Sequence, residues 1–163
     1  MDRLRFLLIT ACGLGLSPFA PGTVGTLGGV VLAIGLQFAV PDHLQIAWWS
    51  AAAALFLFGT LQSDYVKRTW PREDPGAFVL DEVVGYLVTI ATYAALRGEA
   101  VGPPGGLAHM AAFFAFRFFD VAKIQPARKL EDLPGALGIM ADDQMAGLYA
   151  GLSLWLVLPW LGW

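Results

Sequence analysis

Phe78-Val79-Leu80-Asp81-Glu82-Val83-Val84-Gly85-Tyr86-Leu87-Val88-Thr89-Ile90-Ala91-Thr92-Tyr93-Ala94-Ala95-Leu96 opens with two acids and then stays apolar as far as Arg97-Gly98. The run is long and shows no period-two alternation, so it reads as a helix and not a strand. Roughly 20 apolar residues are what a bilayer crossing takes. Carboxylates at the mouth of such a run are costly beside lipid. Asp81 and Glu82 are therefore expected to face an interior site or a counter-charge.

Four further runs lie outward from this one. They cover about Val24 to Val40, stopped by Pro41-Asp42-His43, and about Gln45 to Leu61; the others are about Gly106 to Phe119 and about Gln144 to Trp160. Trp155, Trp160 and Trp163 near the end of the last run suit an interfacial aromatic belt. With 57% hydrophobic residues and a mean hydropathy of +0.62, the chain is expected to sit in a bilayer. The expected fold is all-α: a polytopic helical membrane protein of about four to six helices, forming one domain over residues 1–163. A compact soluble helical protein with a very apolar core is the plainer alternative. The run Phe6 to Cys12 is too short to span and lacks a small-residue cleavage site, so it reads as retained.

Alternating spans would place residues 1–23, 62–77 and 117–143 on one side, and 41–44 with 97–105 on the other. Arg3, Arg5, Lys67, Arg68, Arg72, Arg117, Lys123, Arg128 and Lys129 then share the first side, leaving only Arg97 on the second. The positive-inside rule makes the first side cytoplasmic, and every candidate active residue is there. The net charge of −3 is small and says nothing about nucleic acid, but no basic stripe or RNA-binding signature appears, so no nucleic-acid partner is expected. Cys12 stands alone, which excludes an intramolecular disulfide and a Cys-rich zinc site.

Four segments carry candidate chemistry. In Gly13-Leu14-Gly15-Leu16-Ser17-Pro18-Phe19-Ala20-Pro21-Gly22-Thr23-Val24-Gly25-Thr26, glycines and a following helix N-terminus suit an anion, with Ser17, Gly22, Thr23 and Thr26 as phosphate-binding candidates. The plainer reading is a turn capped by Thr23, followed by Gly25-x-x-x-Gly29 for close helix packing. In the second segment, Asp81 and Glu82 diverge by about 100° on a helix, so one is expected to bind metal while the other meets a group behind the ligands or a basic side chain. Acids complementing a helix dipole are the plain alternative.

The third segment, Arg117-Phe118-Phe119-Asp120-Val121-Ala122-Lys123, puts a carboxylate between two cations on one helix face, with Arg128 beyond. An ion network at a helix end would look the same. A metal-bound phosphate needs this set as well: oxygen ligands for Mg²⁺ and donors for phosphate oxygens. The fourth, Leu133-Pro134-Gly135-Ala136-Leu137-Gly138-Ile139-Met140-Ala141-Asp142-Asp143, opens the last span with adjacent aspartates, which repel unless a cation intervenes. Oxygen ligands without Cys or His favour Mg²⁺ or Mn²⁺ over zinc. The metal set is Asp81, Glu82, Asp120, Asp142 and Asp143. Asp81, Asp120, Lys123, Asp142 and Asp143 are the catalytic candidates, and Arg117 and Arg128 join the phosphate binders. His43 and His109 read as solvated or structural, and Asp74 as a loop acid.

Together these blocks resemble the phosphatidylglycerophosphatase A family over nearly the whole chain. The likeness rests on the Gly-Leu-Ser-Pro start with Pro21-Gly22-Thr23, the Asp81-Glu82-Val83-Val84-Gly85 block, Arg117-x-x-Asp120-x-x-Lys123, and Leu133 to Gly147. Ile124 and Ala136 depart from the family's usual Pro and Gly. The resemblance implies a Mg²⁺-dependent phosphomonoesterase in the bacterial inner (cytoplasmic) membrane, its site facing the cytoplasm. It would convert phosphatidylglycerophosphate to phosphatidylglycerol and inorganic phosphate, with a phospholipid substrate as partner. The competing readings are another lipid-headgroup phosphate enzyme and a small ion-coupled transporter using its buried acids as a cation path.

Overall fold

The computed structural model describes residues 2–70, 75–98 and 102–161, and every regular element in them is helical. In chain order these are α1 (Asp2–Ile9), α2 (Pro21–Ala39), α3 (Leu44–Thr60), α4 (Ser63–Thr69), α5 (Leu80–Arg97), α6 (Gly106–Ala122), α7 (Ala127–Leu130) and α8 (Ala136–Val157). Short 3-10 turns occupy Leu14–Leu16, Pro41–His43 and Leu158–Leu161. The five long helices follow the five apolar runs. The count exceeds the expected four to six because the short helices α1, α4 and α7 form outside the five apolar runs. Arg72, Asp74 and Trp163 lie outside the described residues.

The helix that opened the sequence reading is the centre of the molecule. Leu80, Asp81, every residue from Val83 to Ala91, and Tyr93 are buried. Helices α2, α3, α6 and α8 surround α5. Small residues let them come close, as van der Waals packing between apolar helices requires. A methyl at Gly29 would meet the Val83 backbone and Tyr86, so Gly25-x-x-x-Gly29 faces α5. A methyl at Gly147 would strike the Gly85 carbonyl, which seats α8 directly on α5.

The outer surface is greasy. Phe19, Val31, Phe38, Ile46, Leu57, Phe114, Phe118 and Trp160 are all exposed, Trp160 by 89%. Even so, only one of the described helices, Pro21–Ala39, is by itself long and apolar enough to cross a membrane. Pro41–Thr60 and Ser63–Thr69 qualify only as a pair bent by 58°. The physical reason lies in the other helices. The 17 residues of α3 and of α6 reach about 26 Å, short of a core roughly 30 Å thick, and α5 and α8 carry acids inside their length.

The start of α8 differs from the expected Gln144. The helix begins two turns earlier, at Ala136, where the Ser63 hydroxyl of α4 accepts the Ala136 N–H at 2.9 Å and does the work of a cap. Asp142 and Asp143 therefore sit inside the helix and do not cap it.

Candidate active site

The starts of α2, α5 and α8 and the end of α6 meet at one end of the bundle. Each carboxylate of Asp81, Glu82 and Asp143 offers an oxygen, and these oxygens lie within 4.8 Å of one another. The expectation that Asp81 and Glu82 point apart is corrected here. The Asp81 carboxylate folds back so that Oδ1 accepts the Glu82 N–H at 2.9 Å, and the longer Glu82 side chain reaches the same place. Asp143 comes from α8 on the same face as Gly147, four residues on, so the close Gly147–Gly85 approach delivers it to the acids of α5.

Glu82 Oε2 and Asp143 Oδ2 are buried and have no hydrogen-bond partner. Two like charges 4.8 Å apart cost about 3.5 kcal/mol at an effective dielectric of 20, and three cost more. Carboxylate oxygens crowded together with open lone pairs are suited to a hard divalent cation, and no nitrogen or sulfur ligand competes within the group. The donor set fits Mg²⁺.

Asp120 lies beside this group, close enough for its charge to act on Glu82 and Asp143. Its own partner is Arg117, whose Nη1 is 2.5 Å from Asp120 Oδ2 and 3.8 Å from Glu82 Oε1. Arg117 thus bridges two of the acids, as the three-residue spacing on α6 suggested. Gly22 of α2 completes this corner. A methyl there would collide with Glu82 Oε1 and crowd both Arg117 guanidinium nitrogens, so glycine lets these side-chain ends stay where they are beside the first turn of α2. Ala20 turns the chain in with φ 43, Pro21 starts the helix, and first-turn N–H groups have no intrahelical acceptor.

A second group forms one helical step away. Lys123 ends α6 in the left-handed region at φ 44, an uncommon conformation for a residue with a side chain. Its ammonium lies 2.6 Å from Asp142 Oδ2 and 3.1 Å from Glu131 Oε1. Burial would lower the Lys123 pKa, but the hydrogen bonds and charges of Asp142 and then Glu131 outweigh it and hold the ammonium above its ordinary 10.5. Asp142 Oδ1 accepts the Asp143 N–H at 3.0 Å. Asp142 was expected among the metal ligands. The structure instead occupies both of its oxygens and turns it toward Lys123, because neighbours on a helix diverge by about 100°.

The remaining candidates divide. The Thr26 hydroxyl gives its one proton to the Gly22 carbonyl at 2.8 Å and the residue is wholly buried, so it is no free phosphate donor. Ser17 likewise donates to the Phe19 carbonyl at 2.9 Å. Thr23 stands in the first turn of α2 beside Gly22. Arg128 is exposed on α7 and makes no ion pair among the described residues. His109 is buried between Tyr86, at 2.8 Å, and Gln37, at 3.2 Å, in a strap joining α5, α6 and α2. Sequence reasoning missed Glu131, which no local pattern ties to Lys123. A cavity of about 490 Å³ lies at the opposite end, lined by Gln45, Trp49, Ala94 and Gly98 among others, and no charged side chain lines it.

Buried carboxylates fit for a divalent cation, flanked by an arginine, a lysine and a glycine-opened helix start, equip the bundle as a phosphatase. The chain belongs to the phosphatidylglycerophosphatase A family, whose sequence pattern matches residues 7–158. It is 31% identical to phosphatidylglycerophosphatase A of Haemophilus influenzae, covering 95% of this chain and 89% of the relative. Identity to phosphatidylglycerophosphatase A of Escherichia coli is 27%, covering 96% and 85%. A protein of Bacteroides thetaiotaomicron, provisionally named phosphatidylinositol-3-phosphatase, is 35% identical over 92% of both chains. No solved structure gives a significant match.

Proposed function

We propose that this enzyme is a Mg²⁺-dependent lipid phosphomonoesterase that converts phosphatidylglycerophosphate to phosphatidylglycerol and inorganic phosphate at the cytoplasmic face of a bacterial inner membrane. One observation carries the reading. Asp81, Glu82 and Asp143 converge, Glu82 and Asp143 each with an unpartnered buried oxygen, at the end of the bundle where the basic residues gather. Arg3 and Arg5 on α1 and Lys67 and Arg68 on α4 belong to that end too. There Tyr65 of α4 reaches the Asp2 carbonyl, and Ser63 at the head of α4 caps α8. Arg97 ends α5 at the far end. This asymmetry and the apolar exterior support a polytopic membrane protein with its site toward the cytoplasm.

Asp81, Glu82 and Asp143 would hold the ion, with Asp120 beside them. A divalent cation bound there supplies positive charge to the phosphoryl oxygens and activates water. Arg117, fixed between Glu82 and Asp120, offers its guanidinium to the non-bridging oxygens as charge spreads over them. The first-turn N–H groups of α2 at Gly22 and Thr23 point a helix N-terminus at the same anion. Lys123 contributes a second cation, held in place by Asp142. Asp120 would orient the attacking water as a base; alternatively one aspartate attacks phosphorus itself. A hydroxylamine-sensitive phosphoprotein in rapid-quench experiments supports the second route, and its absence supports the first.

The Bacteroides relative favours a second substrate, phosphatidylinositol 3-phosphate, which presents the same phosphomonoester beside a lipid diester. Purified protein in detergent micelles, given either short-chain lipid with and without EDTA, tests both. The proposal expects higher kcat/KM on phosphatidylglycerophosphate, activity abolished by EDTA, and recovery on adding Mg²⁺. Hydrolysis that survives exhaustive chelation removes the metal, and a preference for the inositol lipid replaces the substrate.

A further inference from the structure

Asp142 and Tyr149 are seven residues apart on α8, two turns, and so project from one face of the helix. That face grips the end of α6 at two points. Asp142 takes the Lys123 ammonium at 2.6 Å, and the Tyr149 hydroxyl donates to the Gln125 carbonyl at 2.9 Å. The Tyr149 ring also packs on Phe119, with centroids 5.8 Å apart. Phe119 is the residue whose carbonyl accepts the Lys123 N–H at 3.0 Å and closes α6. Tyr149 therefore holds the chain on both sides of Lys123, at Phe119 before it and at Gln125 after it. Lys123 stands at φ 44, in a backbone region that is strained for a side-chain-bearing residue and persists only where neighbours hold it.

We propose that Tyr149 is a positioning residue: by pinning Phe119 and the Gln125 carbonyl it fixes the left-handed turn that aims Lys123 at Asp142 and the phosphate site. Without the hydroxyl, the turn relaxes toward ordinary backbone angles and the ammonium swings away from Asp142. The catalytic consequence rests on the phosphatase reading above; the geometric one does not.

Two measurements on the full chain in detergent separate them. In the first, a water-soluble acylating ester competes for lysines, and peptide mass spectrometry reads the labelling of Lys123 against Lys129, which is exposed and makes no ion pair among the described residues. Tyr149→Phe should raise the ratio at least about threefold, as expected when a group held by contacting neighbours is released. An unchanged ratio overturns the proposal. In the second, phosphate release from phosphatidylglycerophosphate is compared in wild type, Tyr149→Phe, Lys123→Met and the double variant. Tyr149→Phe should cost about three- to tenfold in kcat with Lys123 present and nothing in the Lys123→Met background. Equal costs in both backgrounds mark an ordinary structural tyrosine and also overturn the proposal. Should wild type release no phosphate from any lipid tested, the phosphatase reading fails, and the labelling ratio alone decides the role of Tyr149.

Discussion

Asp142 and Asp143 are neighbours in the chain and both are buried, yet they keep different company. Asp143 faces α5, where its nearest charged groups are carboxylates and one of its oxygens has no partner. Asp142 faces the end of α6, with an ammonium on one oxygen and a backbone N–H on the other. One helical step thus separates an acid left with an unpartnered oxygen among other carboxylates from one the chain already satisfies. Sequence marks both as acids in an apolar run. Only the packing of α8 assigns them to different tasks.

The largest effect expected from breaking this contrast is Asp143→Asn. Removing one ligand from the three-acid group should cut phosphate release by about a hundredfold or more, since a catalytic metal contributes several kcal/mol to the barrier. Metal-free protein should meanwhile melt no lower than wild type, because an uncompensated buried charge is gone. A variant as active as wild type would take the group out of the mechanism. The same comparison appears without kinetics in thermal melts. Mg²⁺ at a hundred times its Kd should stabilise wild type by about 2.7 kcal/mol and Asp143→Asn by almost nothing.

Asp142→Asn should be milder in turnover, about tenfold, because it loosens a cation without removing a ligand. Its mark should be the alkaline limb. The Lys123 pKa is raised in the folded protein, so the stability this pair contributes is complete below 10.5 and is lost only as pH climbs through the folded value. Between pH 6 and 9 the Lys123 charge is constant. Without Asp142, only Glu131 opposes burial, and the alkaline loss of stability and activity should begin at lower pH. Identical alkaline midpoints in the two proteins would show that Asp142 does not set the charge of Lys123.

The smallest effect compares two glycines of α2. Gly22→Ala drives a methyl into the Glu82 and Arg117 corner and should cost about tenfold in kcat/KM. Gly35→Ala meets nothing within 4 Å and should leave activity unchanged while raising stability by about 0.5–1 kcal/mol, the helix-propensity gain of Ala over Gly.

The five long helices could be read from their apolar runs, since burial or lipid dictates those residues along the whole length. The start of α8 could not, because its cap is Ser63, 73 positions earlier in the chain. Nor could α1, α4 and α7, which are four to eight residues long and fold against neighbours, not by their own periodicity. At the site, the convergence of four blocks was legible. The pairing within it was not. Periodicity said that Asp81 and Glu82 diverge, but one carboxylate folded onto its neighbour's N–H and a longer one reached across. The hydroxyls of Ser17 and Thr26 looked available for phosphate because a sequence does not display the carbonyls that capture them. Glu131 and Tyr149 act on Lys123 through tertiary contacts alone.

The exposed Phe118 and Val121 flank Arg117 and Asp120 on the last turns of α6, so the phosphate chemistry borders directly on greasy surface. Under the membrane reading, enzyme and lipid meet by sliding within one sheet of molecules and never by collision from bulk water. Velocity should then follow the mole fraction of substrate in the surface, and diluting a fixed micelle composition with buffer should leave it nearly unchanged.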